Sequence, residues 1–157
     1  MIPITPESIQ DQYNVNRTTV DGSIVIEDKG IRLQSDLPVA VYAHAELLNG
    51  MSADSFLVIP AVHLGTQYVA VASTTFSHPN MIAVVAYQNN TQVTIGTQMV
   101  TLNALQVASV ASKNVLSGTV ISGNKPFGVI TGCTCGFVSN VGGCDYEAVN
   151  LSATTCH

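Results

Sequence analysis

Four cysteines are the residues whose type and spacing most directly suggest chemistry. They stand late in the chain, at Cys133, Cys135, Cys144 and Cys156. Four cysteines allow three pairings, and because a bridge between Cys133 and Cys135 would need a strained loop, we expect two disulfides that reach Cys144 and Cys156. Free thiols and a zinc site that adds His157 are the alternatives, but for zinc Cys-x-Cys is shorter than structural spacings and no second paired motif follows. The sequence therefore predicts two disulfides, an oxidising compartment and no metal site.

Three N-x-[S/T] triplets point to the same compartment. They begin at Asn16, Asn89 and Asn150, and each is a potential acceptor of an N-linked glycan. Asn89 falls in a predicted turn, where a glycan would meet no packed neighbours. Chance is the alternative explanation, because a chain rich in Thr and Asn produces such triplets easily. We predict glycosylation at these three positions.

Catalytic motifs are incomplete. His44-Ala45-Glu46 has the H-x-E of zinc deaminases but lacks their P-C-x-x-C partner. The stretch 118–125 resembles a phosphate-binding loop only by letters, because Lys125 is followed by Pro126 and no helix can begin there. The histidines His44, His63 and His78 stand singly, which is typical of structural residues. We therefore expect no catalytic residue, no cofactor and no enzymatic activity.

Composition limits the class of protein. The chain has 157 residues, which favours one domain, and only 10% are charged, against about 25% in typical soluble domains. Its net charge of −5 argues against a nucleic-acid partner. No apolar run reaches the roughly 18 residues of a membrane span. The first ten residues, MIPITPESIQ, lack the basic and apolar regions of a signal peptide, so for a secreted protein we expect a signal that is removed or lies outside this sequence.

One phrase occurs twice. Residues 30–44 read GIRLQSDLPVAVYAH and residues 118–132 read GTVISGNKPFGVITG, at a constant offset of 88 positions. In each copy a glycine opens an apolar run, a polar turn ending in proline follows, and a second apolar run begins. Because Asp and Asn tolerate turn conformations and Pro suits the first position of a strand, each copy is predicted to be a β-hairpin.

The rest of the chain is predicted to consist of short strands. Turn signals recur at intervals of about 8–12 residues, which favours a sandwich over a parallel sheet. We predict an all-β fold, an antiparallel β-sandwich built from two related β modules. An extended N-terminal segment covers 1–20 and the sandwich covers 21–157, with copy one at about 21–88 and copy two at about 89–157.

Several phrases resemble the N-terminal domain of the IgGFc-binding protein family, found in secreted, mucus-type and cell-surface proteins. Besides the repeated phrase, they are DSFLVIP at 54–60, LGTQY at 64–68, IAVVA at 82–86 and NNTQVTI at 89–95. The resemblance covers about Asp28 to Cys144. Copy two ends before its own L-G-T-x-Y segment, so we expect it to be truncated at its C-terminal end.

The resemblance implies an extracellular, non-enzymatic adhesion or structural module, secreted or at the cell surface. Its partner would be a protein or glycan at an extracellular surface. Binding of antibody Fc is not implied, because no Fc-contacting residue can be matched. Two alternatives stay open: a subunit of a self-assembled filament, joined through strand exchange by Met1–Gln12, and a carbohydrate-binding sandwich, for which the chain offers five tyrosines and four phenylalanines but no tryptophan.

Overall fold

The computed structural model describes residues 21–46, 53–72, 78–136 and 145–154, and the regular structure in these ranges is almost entirely β. Ala61–His63 forms one 3-10 turn. The all-β, antiparallel prediction is confirmed. Within the described ranges there are ten strands: β1 (Asp21–Glu27), β2 (Tyr42–Glu46), β3 (Ala53–Leu57), β4 (Gly65–Val69), β5 (Asn80–Ala86), β6 (Thr91–Ile95), β7 (Gln98–Leu102), β8 (Val107–Ser112), β9 (Val120–Gly136) and β10 (Asp145–Asn150).

Strand β9 is the centre of the large sheet. Its second half pairs with β5 along one edge and with β10 along the other. Its first half pairs with β6 along one edge and with β4 along the other. Phe127 pairs with a residue of β5 and with a residue of β4. Strand β8 continues the sheet beyond β5 and carries β1, while β7 continues it beyond β6. Strands β2 and β3 form a separate two-stranded sheet.

The second copy of the repeated phrase is a bent strand, so the predicted hairpin is wrong there. Gly65 of β4 pairs with Phe127, whereas Gln67, two residues later, pairs with Ser122. Strand β9 therefore has a bulge of extra residues at this point. The turn residues 123–126 therefore bend the chain without reversing it. The sheet is interrupted beside this bend as well, because residues 87–90 separate β5 from β6 and residues 103–106 separate β7 from β8. The large sheet consequently folds over itself until it is nearly closed into a barrel.

The hairpin prediction is also wrong for the first copy. Residues 30–41 form no strand, and regular structure begins only at Tyr42. Gly30 instead donates its N–H to the carbonyl of Leu105 at 2.9 Å, an approach so close that a Cβ on Gly30 would collide with that residue. The two copies share only their last part, where the run after the proline forms a strand that pairs with the next one along the chain: β2 with β3, and β9 with β10.

The core lies between the two halves of the folded sheet. Tyr68 and Phe127 are its aromatic members, with ring centroids 5.1 Å apart. The Tyr68 hydroxyl donates to the carbonyl of Phe127 at 2.6 Å and accepts from the N–H of Gly65 at 2.9 Å. The other buried members are aliphatic: Ala70, Ile82, Val84, Ala86, Val93, Ile95, Leu102, Ala108, Val110, Ile121, Val129 and Leu151. In the part of the chain that the structure describes, no helix is long and apolar enough to cross a membrane.

Candidate binding surfaces

The structure describes two of the four cysteines, Cys133 and Cys135, and both lie on β9. Cys133 is buried on β9, and its Sγ lies 3.8 Å from Oε2 of Glu147 on β10. Cys135 lies two residues further along the same strand. Cys144 and Cys156 lie outside the described residues, so the two disulfides remain a prediction. Among the described residues, no group of three His, Cys, Asp or Glu side chains could hold a metal ion.

The three histidines that the structure describes occupy different settings. His44 on β2 is exposed, and its Nδ1 lies 2.7 Å from Oγ of Ser55 on the adjacent strand β3. His63 is exposed at the end of the 3-10 turn. His78 is half-buried just before β5. His44 and Glu46 lie on β2 with one residue between them.

Side chains, rather than a main-chain ladder, join the small sheet to the large one. The carboxylate of Asp54 on β3 accepts the N–H of Ala148 on β10 at 2.7 Å. In the reciprocal direction, the carboxylate of Asp145 on β10 accepts the N–H of Ala53 at 3.1 Å. Asn150 adds a third link, since its Oδ1 accepts the N–H of Ile59 at 2.9 Å. Strand β3 thus lies along the outer edge of β10, and side chains of both strands make the hydrogen bonds between them.

A cleft of about 310 Å³ lies beside this junction. Its walls include the valines Val71 and Val149, and two carboxylates, Asp54 and Glu147, lie among the lining residues. Close to the cleft, the pKa of Tyr146 lies above its ordinary value, because burial disfavours the phenolate and the charge of Asp54 and then that of Cys133 add to the effect. The tyrosine is therefore a neutral hydroxyl at physiological pH.

A second candidate surface consists of exposed apolar side chains. They lie in the irregular segment before β2 and on the two strands of the small sheet. Tyr42 and Leu57 are cross-strand partners on the outward face of β2 and β3, and Tyr42 is 70% exposed. Leu37, in the irregular segment before β2, is 75% exposed. We call the set the outer apolar surface: Ile31, Leu33, Leu37, Val39, Tyr42 and Leu57.

The irregular segment is tied to the large sheet at its start. Gly30 is bonded to Leu105, and the guanidinium of Arg32 lies 5.9 Å from the ring centroid of Tyr87. At its far end, the carbonyl of Val41 accepts the N–H of Val58 at 2.9 Å. The segment between these anchors exposes its apolar side chains to solvent, which sequence reasoning missed because it assigned them to a β-hairpin.

Comparison with protein families identifies the chain. The family model described as IgGFc binding protein matches residues 54–154. The chain belongs to the IgGFc-binding protein family. No curated protein and no solved structure matches it. The match with the family begins at Asp54, so it includes β3 to β10, whereas β1, β2 and most of the outer apolar surface precede it.

The structure explains two of the phrases that carry the family resemblance. In LGTQY, the tyrosine is the buried Tyr68, whose hydroxyl reaches back to the N–H of Gly65. In NNTQVTI, Asn90 adopts a left-handed conformation with φ of 54°, which lets the chain turn into β6. The IgGFc-binding family is a family of binding domains that are typically extracellular. Both phrases thus serve the folding of the module.

Proposed function

We propose that this chain is a non-enzymatic extracellular module that binds a protein partner through the outer apolar surface. The observation that carries the proposal is the exposure of six large apolar side chains within residues 31–57. Exposed apolar residues scattered singly need no explanation, whereas a large exposed apolar patch is typical of an interaction site, and we propose that these six side chains form one.

The chemistry of the surface favours a protein over a small molecule. Tyr42 offers a large amphipathic side chain with few rotatable bonds, and such residues contribute much of the energy at protein interfaces. Its neighbour across the strands is Leu57, and the His44–Ser55 pair follows on the same outward face. An apolar centre bordered by polar groups is the usual anatomy of a protein interface.

An extracellular location agrees with the family and with the composition. Members are typically extracellular, and a chain with only 10% charged residues suits a secreted β protein. The predicted disulfides and glycans belong to the same setting.

Self-assembly is the second candidate function. Among the described residues, β2 pairs only with β3 and β1 pairs only with β8, so the second edge of each has no described strand beside it. An added strand from a second copy would find main-chain donors and acceptors there. This observation supports the filament alternative. Carbohydrate binding has a weaker basis, since the exposed aromatic side chains among the described residues are Tyr42 and Tyr87, and the ring of Tyr87 already faces the Arg32 guanidinium.

A site-specific photo-cross-link separates these candidates. Benzoylphenylalanine would be placed at position 42 and, as the matched control, at position 99, because Met99 is 69% exposed but lies on β7. The labelled chains are irradiated in extracellular fluid of the source organism and the adducts are identified by mass spectrometry. We expect one distinct protein joined at position 42 and absent at position 99.

The other outcomes are informative. An adduct that contains only a second copy of the chain would favour self-assembly, and an adduct removed by glycosidases would favour carbohydrate binding. Equal adducts from positions 42 and 99 would refute the outer apolar surface as the binding site.

A further inference from the structure

The two described glycosylation triplets place their asparagines in opposite settings. Asn89 is exposed in the turn between β5 and β6. Its Oδ1 accepts the N–H of Ala104 at 3.0 Å. No described residue makes a hydrogen bond to its Nδ2, the atom to which a glycan would be attached. The side chain is thus anchored by its oxygen while its nitrogen faces solvent.

Both the nitrogen and the oxygen of the Asn150 side-chain amide make hydrogen bonds inside the fold. Its Nδ2 donates to the carbonyl of Val129 at 2.8 Å, and its Oδ1 accepts the N–H of Ile59 at 2.9 Å. The side chain therefore joins β10 to β9 and to the residues that follow β3. A sugar on Nδ2 would have to occupy space between these backbones. The amide is thus a structural cross-link between these elements.

We infer that Asn89 carries an N-linked oligosaccharide and that Asn150 carries none. In the reaction, the amide nitrogen of Asn89 attacks the anomeric carbon of a lipid-diphosphate-linked oligosaccharide. The new N–C bond replaces the C–O bond to the diphosphate, which leaves with its lipid, and the amide loses one proton to a base of the transferase. The Thr91 hydroxyl completes the acceptor triplet.

The folded turn accommodates the product. Tyr87, Gln88, Asn89 and Asn90 are all exposed, so the sugar leaves the protein surface without displacing a core side chain. The hydrogen bond from Ala104 to Oδ1 survives because glycosylation changes only the nitrogen. The third triplet, at Asn16, lies outside the described residues. The inference rests on the proposed extracellular location, since the transferase acts in the secretory pathway.

The test exports the full chain from eukaryotic cells behind a cleavable signal peptide. The purified protein is treated with peptide N-glycosidase in heavy-oxygen water, which converts each glycosylated Asn into labelled Asp, and the sites are mapped by peptide mass spectrometry. We expect label at position 89 and none at position 150, and Asn89→Gln should lose the mass of one oligosaccharide. If export fails, translation into microsomes supplies the same readout.

Label at position 150, or an unmodified Asn89 in exported protein, would overturn the inference. Because the signal peptide imposes export, neither result bears on the binding module, which the cross-linking experiment tests by itself. Asn150→Asp is the companion variant. It keeps the acceptor for Ile59 and loses the donor to Val129, so it should unfold at lower urea concentration than the wild type without any change in glycan mass.

Discussion

At the scale of single residues, the buried tyrosine of the LGTQY phrase makes a prediction about stability. Tyr68→Phe removes one hydroxyl and leaves the N–H of Gly65 and the carbonyl of Phe127 without their partner. Buried groups that lose a partner retain their full desolvation cost, so we expect a loss of about 1–3 kcal/mol in the free energy of unfolding. Urea denaturation measures it. Tyr42→Phe is the control and should change stability by less than about 0.5 kcal/mol, because its hydroxyl lies on an exposed residue.

The buried Tyr68 and the half-buried Tyr146 also predict how stability depends on alkaline pH. The pKa of Tyr68 is raised mainly by burial, and that of Tyr146 is raised by burial, then by Asp54 and Cys133. Where the folded pKa exceeds the unfolded value of about 10, the unfolded chain releases protons first. The stabilisation is therefore complete below pH 10 and is lost as pH rises through the folded pKa.

Urea unfolding at a series of pH values from 8 to 11 would check the direction of this effect. We expect a decline above pH 10 that is shallower in Tyr146→Phe than in the wild type. Asp54→Asn should lower the pKa of Tyr146, because it removes a negative charge that disfavours the phenolate. An unchanged decline in both Tyr146→Phe and Tyr68→Phe would contradict the assignment.

At the scale of elements, β3 protects the outer edge of β10 by an unusual route. The Asp54 carboxylate accepts the N–H of Ala148, whereas in a regular sheet a main-chain carbonyl of the next strand would accept it. Asp54→Ala leaves that donor unsatisfied, and the loss of a charged acceptor should cost about 1.5–3 kcal/mol. Asp54→Asn keeps an acceptor oxygen and should cost less. Amide hydrogen exchange at Ala148 distinguishes them, since only Asp54→Ala should exchange much faster. Equal exchange in the two variants would show that this bond does not protect the edge.

The contact between β9 and β10 depends on a glycine. A Cβ on Gly132 would lie inside contact distance of the Glu147 backbone, so the two strands approach too closely for any side chain. Gly132→Ala should force the strands apart and cost about 1–3 kcal/mol. Ser122→Ala, on the same strand, is the control. A thermal melt that shows equal loss in both variants would place the close approach in doubt.

The elements also show what the sequence could and could not reveal. Apolar alternation and turn residues were enough to predict an antiparallel, all-β fold, and the phrase NNTQVTI was correctly assigned to a turn and a strand. The residues 123–126 were recognised as a break, but a break reverses a strand only if both arms pair with each other. Here each arm already has neighbours, β4 and β6 before the bend and β5 and β10 after it.

The candidate surfaces were less accessible to sequence reasoning, for a related reason. Ile31 and Leu33 alternate with polar residues as they would in a half-buried strand, so nothing in the pattern shows that they face solvent. Asp54 was noted only as part of a family phrase, since a carboxylate that bonds a backbone in β10 is a long-range contact. Asn89 and Asn150 carry the same local signal and differ only in what surrounds them.

At the scale of the whole molecule, charge and apolar exposure act against each other. The isoelectric point is about 5.0, so the chain carries a net charge of −5 at pH 7 and close to none at pH 5. Repulsion between like-charged copies keeps exposed apolar surfaces apart, and it disappears near the isoelectric point. We therefore expect sedimentation velocity to show more self-association at pH 5 than at pH 8.

The same measurement tests which surface is responsible. The variant Leu37→Ser/Val39→Ser/Tyr42→Ser removes three apolar side chains without changing the net charge, so it should remain monomeric at both pH values. Met99→Ser removes one exposed apolar side chain on β7 and should associate like the wild type. If Met99→Ser abolished association while the triple variant retained it, the copies would not associate through the outer apolar surface. If association were equal at the two pH values, charge would not be what limits it, because the apolar area is the same in both.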